Sequence, residues 1–409
     1  MAEHILDILK ERGFIAQVSY EDELYEQLKN PTTFYVGFDP TADSLHIGHY
    51  IPIMAMAHMQ RAGHKPIALM GGGTAMIGDP SGKTDMRKMM TVETIDNNVA
   101  HIRQQMSRFL DFSDDKAIIV SNGDWLRNLN FIEFMRDVGS LFSVNEMIKA
   151  ECYKARMATE NGLSFLEFTY MLMQSYDFLE LFHRYGCRLQ MGGNDQWSNM
   201  IHGADLIRRK DREKAFACTF QLLLTHDGKK MGKTEKGALW LDANKCTPYD
   251  FYQYWRNVDD KDVEKCLGLL TFLPMDEVRR LGALQGSEIN EAKKVLAYEV
   301  TRLVHGEEEA KKAADAASNV FGGGASVENV PPFTVTREML AEDARAFTYL
   351  MKCGLCEKGA QAKDAVKSGS VTLNGEKLTS LSDVLTEEMF GADGILIKKG
   401  KGYRRLVLQ

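Results

Sequence analysis

Two of the ten histidines in this chain fall three residues apart, in Phe38-Asp-Pro-Thr-Ala-Asp-Ser-Leu-His46-Ile-Gly-His49-Tyr. An apolar run precedes this segment and a helical pattern follows it. Both imidazoles therefore sit on one face of a helix's first turn. Helix N-termini favour anions, and imidazole donors added there suit a phosphate chain. Gly48 between them removes a Cβ and lets a ligand approach the backbone. A second cluster, Asp227-Gly-Lys229-Lys230-Met-Gly-Lys233-Thr234, lies after another apolar run. Lysines three apart with small neighbours make a positive loop able to close over triphosphate oxygens, although a solvated lysine cluster beside a turn has the same letters. Gly71-Gly-Gly-Thr74-Ala-Met-Ile-Gly78-Asp79-Pro-Ser-Gly-Lys83 is a glycine-rich strand exit bearing a carboxylate and a lysine, without the GxxxxGK[ST] spacing of a Walker A loop. Gly192-Gly-Asn-Asp195-Gln196-Trp is a fourth such turn. Tyr170, Gln174 and Asp177 fall at i, i+4 and i+7, a polar stripe on a helix otherwise lined by Phe165, Phe168, Met171, Leu172, Phe178 and Leu179.

The elements that must hold these groups alternate. Phe34–Phe38, Pro66–Met70, Ala117–Val120, Arg188–Met191 and Phe220–Leu224 read as buried strands ending in turn residues, and 46–62, 91–112, 130–150, 164–183 and 196–210 read as amphipathic helices. Ser143-x-x-Glu146 and Ser164-x-x-Glu167 have capping-box spacing. Strand–helix alternation predicts a parallel sheet covered on both faces, with ligands beyond the carboxyl ends of its strands. All four turns follow strands and so open on one sheet edge. After Asp242 the pattern becomes helical, over roughly 247–320, and Phe321-Gly-Gly-Gly-Ala-Ser with Val330-Pro-Pro-Phe reads as a linker. The predicted organisation is a doubly wound Rossmann-like α/β domain over 1–242, an all-α domain over 243–320, a linker over 321–340, and a small α+β domain over 341–409 built from two helices and then strands.

Composition narrows the partners. With 409 residues, 44% hydrophobic and 26% charged, the chain is long enough for two or three packed domains. Its net charge of −7 requires that any nucleic acid be held by a local basic patch. Residues 341–409 supply one, with eleven Lys/Arg against nine Asp/Glu. The seven scattered cysteines argue against a disulfide framework and for a reducing, cytoplasmic setting. Cys353-Gly-Leu-Cys356 has no second Cys or His pair near it, which disfavours zinc. No stretch of about 18 uninterrupted apolar residues is present, and the N-terminus lacks a signal-peptide pattern.

Taken together these segments resemble the class I aminoacyl-tRNA synthetases, and among them the bacterial-type tyrosyl family. His46-Ile-Gly-His49 is similar to the HIGH signature and Lys230-Met-Gly-Lys-Thr234 to a KMSKS loop. YVGFDPTADSLHIGH, IGDPSGK, FLEFTYMLMQSYDF, GGNDQW and LVHGEE are similar to further blocks of that family. The resemblance spans nearly the whole chain, with an S4-like RNA-binding segment at its end. It implies activation of L-tyrosine by ATP, with Mg²⁺ carried on the ATP, then transfer to the 3′ end of tRNA, in a homodimer with no membrane association.

By position, the resemblance assigns Tyr35 and Asp177 to the substrate's phenolic hydroxyl. Tyr170, Gln174 and Asp79 are assigned to its ammonium group, and Gln196 to its carboxyl end. Gly37, Asp39, Gly48, His49, Gly193 and Asp195 would contact ATP, with Asp195 and the Gly193 backbone at the ribose. Thr41 and His46 would meet the γ-phosphate, and Lys83, Arg87, Lys230, Lys233 and Thr234 would close over the pyrophosphate. Val36 and Asn122-Gly-Asp-Trp depart from the usual family letters. The S4-like segment lacks the usual arginines, so Lys363, Lys367, Lys377, Lys398, Lys399, Lys401, Arg404 and Arg405 are left to contact phosphates. The apolar stretch Phe131–Met147 is the expected dimer face. Two rival readings remain open: another HxGH nucleotidyltransferase, such as one activating tryptophan, and an inactive RNA-binding paralogue.

Overall fold

The structure is a computed structural model that describes residues 3–79, 90–160, 162–234, 237–322, 330–391, 394–400 and 402–409, with backbone alone at 233–234 and 319–322. The chain divides into two compact units, residues 1–231 with 265–278, and residues 232–264 with 279–409. Among the described residues no helix is long and apolar enough to cross a membrane.

The first unit is built on a six-stranded sheet of β1 (Ile15–Val18), β2 (Thr33–Phe38), β3 (Lys65–Met70), β4 (Ile118–Ser121), β5 (Leu189–Gly193) and β6 (Phe216–Phe220), in the order β1-β6-β5-β2-β3-β4. Five strands run parallel, and β1 is an antiparallel edge strand on β6. The chain winds from β2 outward to β4, then returns to β5 on the other side of β2. That reversal opens a crevice at the carboxyl ends of β2 and β5, where doubly wound sheets bind ligands. Tyr35 lies level with Ile67 on one side and Gln190 on the other.

The last strand of this sheet differs from expectation. It is Phe216–Phe220, all five residues buried and paired with β5, and not Phe220–Leu224. Leu222 is exposed, while Leu223 and Leu224 turn back to pair with Met231 and Lys230. The three leucines mimic a strand but anchor the lysine loop instead. The predicted helix 130–150 is also broken, into Phe131–Asp137, a 3₁₀ turn at Gly139–Leu141, and Val144–Met147. Gly139 and Ser140 are poor helix formers, and the Ser140 hydroxyl bonds back to the Arg136 carbonyl at 2.6 Å. Ser143 makes no capping bond and Glu146 pairs with Lys149, whereas Ser164 and Glu167 form the reciprocal capping box their spacing predicts.

In the second unit, β7 (Lys233–Thr234) and β8 (Gly237–Ala238) make a two-stranded ribbon. A five-stranded sheet follows, of β9 (Pro332–Val335), β10 (Val371–Leu373), β11 (Glu376–Lys377), β12 (Ile395–Lys399) and β13 (Gly402–Leu408), ordered β11-β10-β12-β13-β9. The two helices expected within 341–409 are Ala346–Lys352 and Gly359–Lys367, and a third, Arg337–Glu342, starts in the stretch read as linker. Pro332–Val335, read as linker, runs parallel to β13. Its prolines disguise an edge strand, where a missing backbone donor is tolerated. Cys353 and Cys356 are both buried in this small core.

Within the first unit, Arg12 closes the fold over 265–278. The side chain is buried, with Nη1 donating to the carbonyls of Gly268 and Thr271 at 3.1 Å each and Nη2 to that of Leu273 at 2.6 Å. A guanidinium fork can satisfy three carbonyls where an ammonium cannot in the same geometry. Arg12→Ala should therefore lower the unfolding free energy by about 2–4 kcal/mol in urea titration, with Arg12→Lys restoring only part. A loss below about 0.5 kcal/mol would show that these bonds are dispensable.

Candidate active site

The crevice is a cleft of ≈ 360 Å³ lined by residues that the chain delivers from four separate turns. After β2 come Asp39, Thr41, His46 and His49; after β3, Gly71, Thr74 and Asp79; after β5, Gly193, Asp195 and Gln196; and from the loop after β6, Lys230. Tyr35 and Gly37 lie on β2 itself, and the helix Tyr170–Tyr185 adds Tyr170, Gln174 and Asp177. Fourteen of the residues singled out from sequence thus converge on one cavity. A second cleft, of ≈ 480 Å³, is lined by Tyr20, Phe142, His202, Arg208, Arg209 and Lys214 among others. Its cations are already paired, Arg208 and Arg209 with Asp205 and Lys214 with Glu23, which leaves it poorer in groups that seek a ligand.

At the floor of the first cleft lies Asp177, 2% exposed. Asn122 Nδ2 donates to its Oδ2 at 2.8 Å, and Trp125 Nε1 donates to its Oδ1 at 2.7 Å. Burial raises the carboxyl pKa to about 7 against the pull of these two donors. Tyr35 is buried beside it, and its hydroxyl has no hydrogen-bond partner among the described residues. Burial and the Asp177 charge push that phenol well above its ordinary pKa, so it remains a donor. A buried hydroxyl without a partner is costly unless a ligand completes it. The Gln174 and Gln190 side-chain oxygens are likewise buried without a partner among the described residues, and both line the cleft.

Asn122 also orders the neighbouring turn. Its Oδ1 accepts from the Gly73 amide at 2.7 Å, and its Nδ2 donates to Thr74 Oγ1 at 3.0 Å. A Cβ on Gly71 would press on Asp39 Oδ1 and on Thr74 Oγ1, so a larger residue here would displace two side chains of the cleft wall. Higher in the cleft, Gln196 Nε2 donates to Asp79 Oδ2 at 2.6 Å while its Oε1 accepts from Asn199 Nδ2 at 3.2 Å, which fixes its amide orientation.

The two histidines cap their helix Ile47–Arg61. The Gly48 amide donates to His46 Nδ1 at 3.0 Å, the His46 amide donates to His49 Nδ1 at 3.2 Å, and the rings stack with centroids 4.0 Å apart. With Nδ1 accepting in both rings, Nε2 carries the proton in the neutral imidazole and is a donor. Gly48 has a further reason beyond ligand approach: a Cβ there would meet His46 Cε1 at 2.8 Å.

Lys83 and Arg87 lie outside the described residues, and of Lys233 and Thr234 only the backbone is described, in β7. In the C-terminal segment Lys363, Lys367 and Lys377 are exposed. Lys399 donates to the Leu355 carbonyl at 3.0 Å, and the Lys398 ammonium lies 5.1 Å from the Tyr403 ring. Arg405 is half-buried and Lys401 lies outside the described residues. Arg404 does not serve as a phosphate ligand in this arrangement: it is 7% exposed, with its guanidinium bidentate on Asp250 at 2.9 and 2.6 Å. Sequence alone could not show that an acid more than 150 positions earlier claims it. Trp125 and Thr74 lie in segments picked out from sequence but receive no role there, and Gln190 reads only as part of a strand; the register of β2 with β5 brings Gln190 beside Tyr35.

The chain is similar to known proteins along its whole length. The chain is 56% identical over 411 residues to the tyrosine–tRNA ligase of Clostridium tetani, with 100% of each chain covered. It is 59% identical over 399 residues to that of Fusobacterium nucleatum, covering 97% of this chain and 96% of the relative. A C-terminally truncated mitochondrial tyrosyl-tRNA synthetase of Aspergillus nidulans superposes with a TM-score of 0.70 at 28% identity, covering 78% of this chain and 95% of that one. The family described as tRNA synthetases class I (W and Y) matches residues 26–322. The chain belongs to the class I aminoacyl-tRNA synthetases of the tryptophanyl and tyrosyl family.

Proposed function

We infer that this chain is a tyrosine–tRNA ligase. It activates L-tyrosine with ATP to tyrosyl-adenylate and pyrophosphate, then transfers tyrosine to the 3′ end of its tRNA. The observation that carries the amino-acid choice is the pair at the cleft floor: Asp177, a buried carboxyl, and Tyr35, whose buried phenol hydroxyl has no partner among the described residues. A phenolic OH entering between them donates to the carboxylate and accepts from Tyr35. An unsubstituted ring would leave the Tyr35 hydroxyl unpaired in a dry pocket and would offer Asp177 no donor beyond Asn122 and Trp125. An indole would present its N–H at a different position.

In this reading Tyr170, Gln174 and Asp79 take the ammonium group and Gln196 faces the carboxyl end. The ATP ribose sits on Asp195 and the Gly193 backbone, near Asp39 and Gly37. The substrate carboxylate is itself the nucleophile and attacks the α-phosphorus, so no side chain forms a covalent bond. Catalysis is then positioning plus stabilisation of charge growing on the pyrophosphate. Thr41, the Nε2–H groups of His46 and His49, and Lys230 supply donors on that side, joined by Lys83, Arg87, Lys233 and Thr234. Mg²⁺ would arrive on the ATP phosphates. The catalytic, helical and S4-like segments expected from sequence would divide the work, with Lys363, Lys367 and Lys377 as exposed candidates for phosphate contact.

A homodimer is supported by the apolar side chains left exposed on consecutive short helices: Phe131, Ile132, Val144, Met157 and Phe165 each expose more than 40% of their surface. Exposed apolar groups at this density mark an association face. The free cysteines accord with a cytoplasmic protein.

Two outcomes check the site. Because Asp177 ionises at about 7, tyrosine affinity without ATP should rise about tenfold from pH 6 to pH 8, as the carboxylate acceptor forms. Asp177→Asn should abolish that rise; a flat profile in the parent, or one surviving in the variant, would contradict the assignment. Lys230→Ala should slow single-turnover adenylate formation by roughly ten- to a hundredfold with tyrosine affinity unchanged. Equal losses in both would contradict a role confined to the transition state.

A further inference from the structure

The helix that carries Tyr170 does not hold its own N-terminus. Thr169, which precedes it, makes no side-chain capping bond. The first-turn amide of Met171 instead donates to the hydroxyl of Tyr153 at 3.3 Å, and that hydroxyl donates to the carbonyl of Phe168 at 2.8 Å. Phe168 ends the preceding short helix Phe165–Phe168, so one oxygen serves an unpaired carbonyl and an unpaired amide on either side of Thr169-Tyr170. Tyr153 is 1% exposed, and its ring lies 5.2 Å from that of Phe168. The same helix, Glu151–Met157, grips this segment again, through the buried pair of Arg156 and Glu167 at 2.8 Å. The junction is therefore fixed from outside at both of its ends, and Tyr170 stands between the fixed points.

We propose that Tyr153 is a positioning residue for amino-acid binding, its hydroxyl setting the angle between the two helices and thereby placing Tyr170 for the substrate's ammonium group. The inference rests on the reading above that Tyr170 meets that group. Tyr153 is not among the residues that line the cleft. Its effect passes through the backbone of 168–171, so it should be felt by ligands with an amine and not by ligands without one.

The test is Tyr153→Phe, which keeps the ring and deletes the bridging oxygen, with binding measured by equilibrium dialysis without ATP. L-Tyrosine and tyramine should each bind roughly three- to tenfold more weakly, the range expected for one lost hydrogen bond, while 3-(4-hydroxyphenyl)propanoate binds within twofold of the parent. In a Tyr170→Phe background, Tyr153→Phe should cost no further tyrosine affinity. Equal weakening of all three ligands, or of none, would overturn the inference. If the parent bound the propanoate as tightly as tyrosine, the ammonium site itself would be wrong, a result distinguishable because it appears before any substitution at 153.

Discussion

A carboxyl group with almost no exposed surface is tolerated only where donors meet it, and the floor of this cleft is organised around that requirement. Asp177 takes one bond from Asn122 and one from Trp125, both in the turn after β4. Asn122 spends its remaining capacity on Gly73 and Thr74, in the turn after β3. Two strand exits and the helix Tyr170–Tyr185 are thereby locked into one hydrogen-bonded unit. The arrangement has a thermodynamic sign. A carboxyl whose pKa is raised from 3.8 to about 7 favours the folded state less as pH rises through that interval, and the cost is complete above about 7. The fold holds an acid where acids are unstable, which is the usual signature of a group kept for its ligand.

Above that floor the logic changes from specificity to charge. Lys230 and the two capping histidines line the same cleft, delivered by the segments after β6 and β2. The histidine tautomers are set by backbone amides, so both rings are fixed before any ligand arrives, the condition under which electrostatic stabilisation is most effective. The crevice at the β2–β5 reversal joins these two regions. It brings strand-end residues far apart in sequence into a single cavity. A reaction in which one substrate attacks the other needs little more from the protein than this alignment.

Much of this was legible in the sequence because it is local. The His46/His49 pair, the stripe of Tyr170, Gln174 and Asp177, and the Gly192–Trp197 turn declare themselves through spacing, and the strand–helix alternation predicts that their turns share an edge. What sequence could not reveal depends on long-range pairing. Leu222-Leu223-Leu224 has the letters of a strand, but the better-buried Phe216–Phe220 takes the place beside β5. Arg404 reads as a phosphate contact until Asp250 is seen to hold it. Trp125 and Tyr153 look like core aromatics, and only their indole N–H and hydroxyl partners show otherwise. Polar atoms on apolar residues are the part of a site that periodicity hides.

The most direct test is ATP–pyrophosphate exchange with each of the twenty amino acids in turn, without tRNA. The account predicts exchange with tyrosine alone, because only a para-hydroxyl completes both Asp177 and Tyr35 while the amino-acid end reaches the α-phosphate. Exchange supported by tryptophan or phenylalanine as well as by tyrosine would contradict the pocket. Exchange with none of the twenty would contradict the adenylation chemistry.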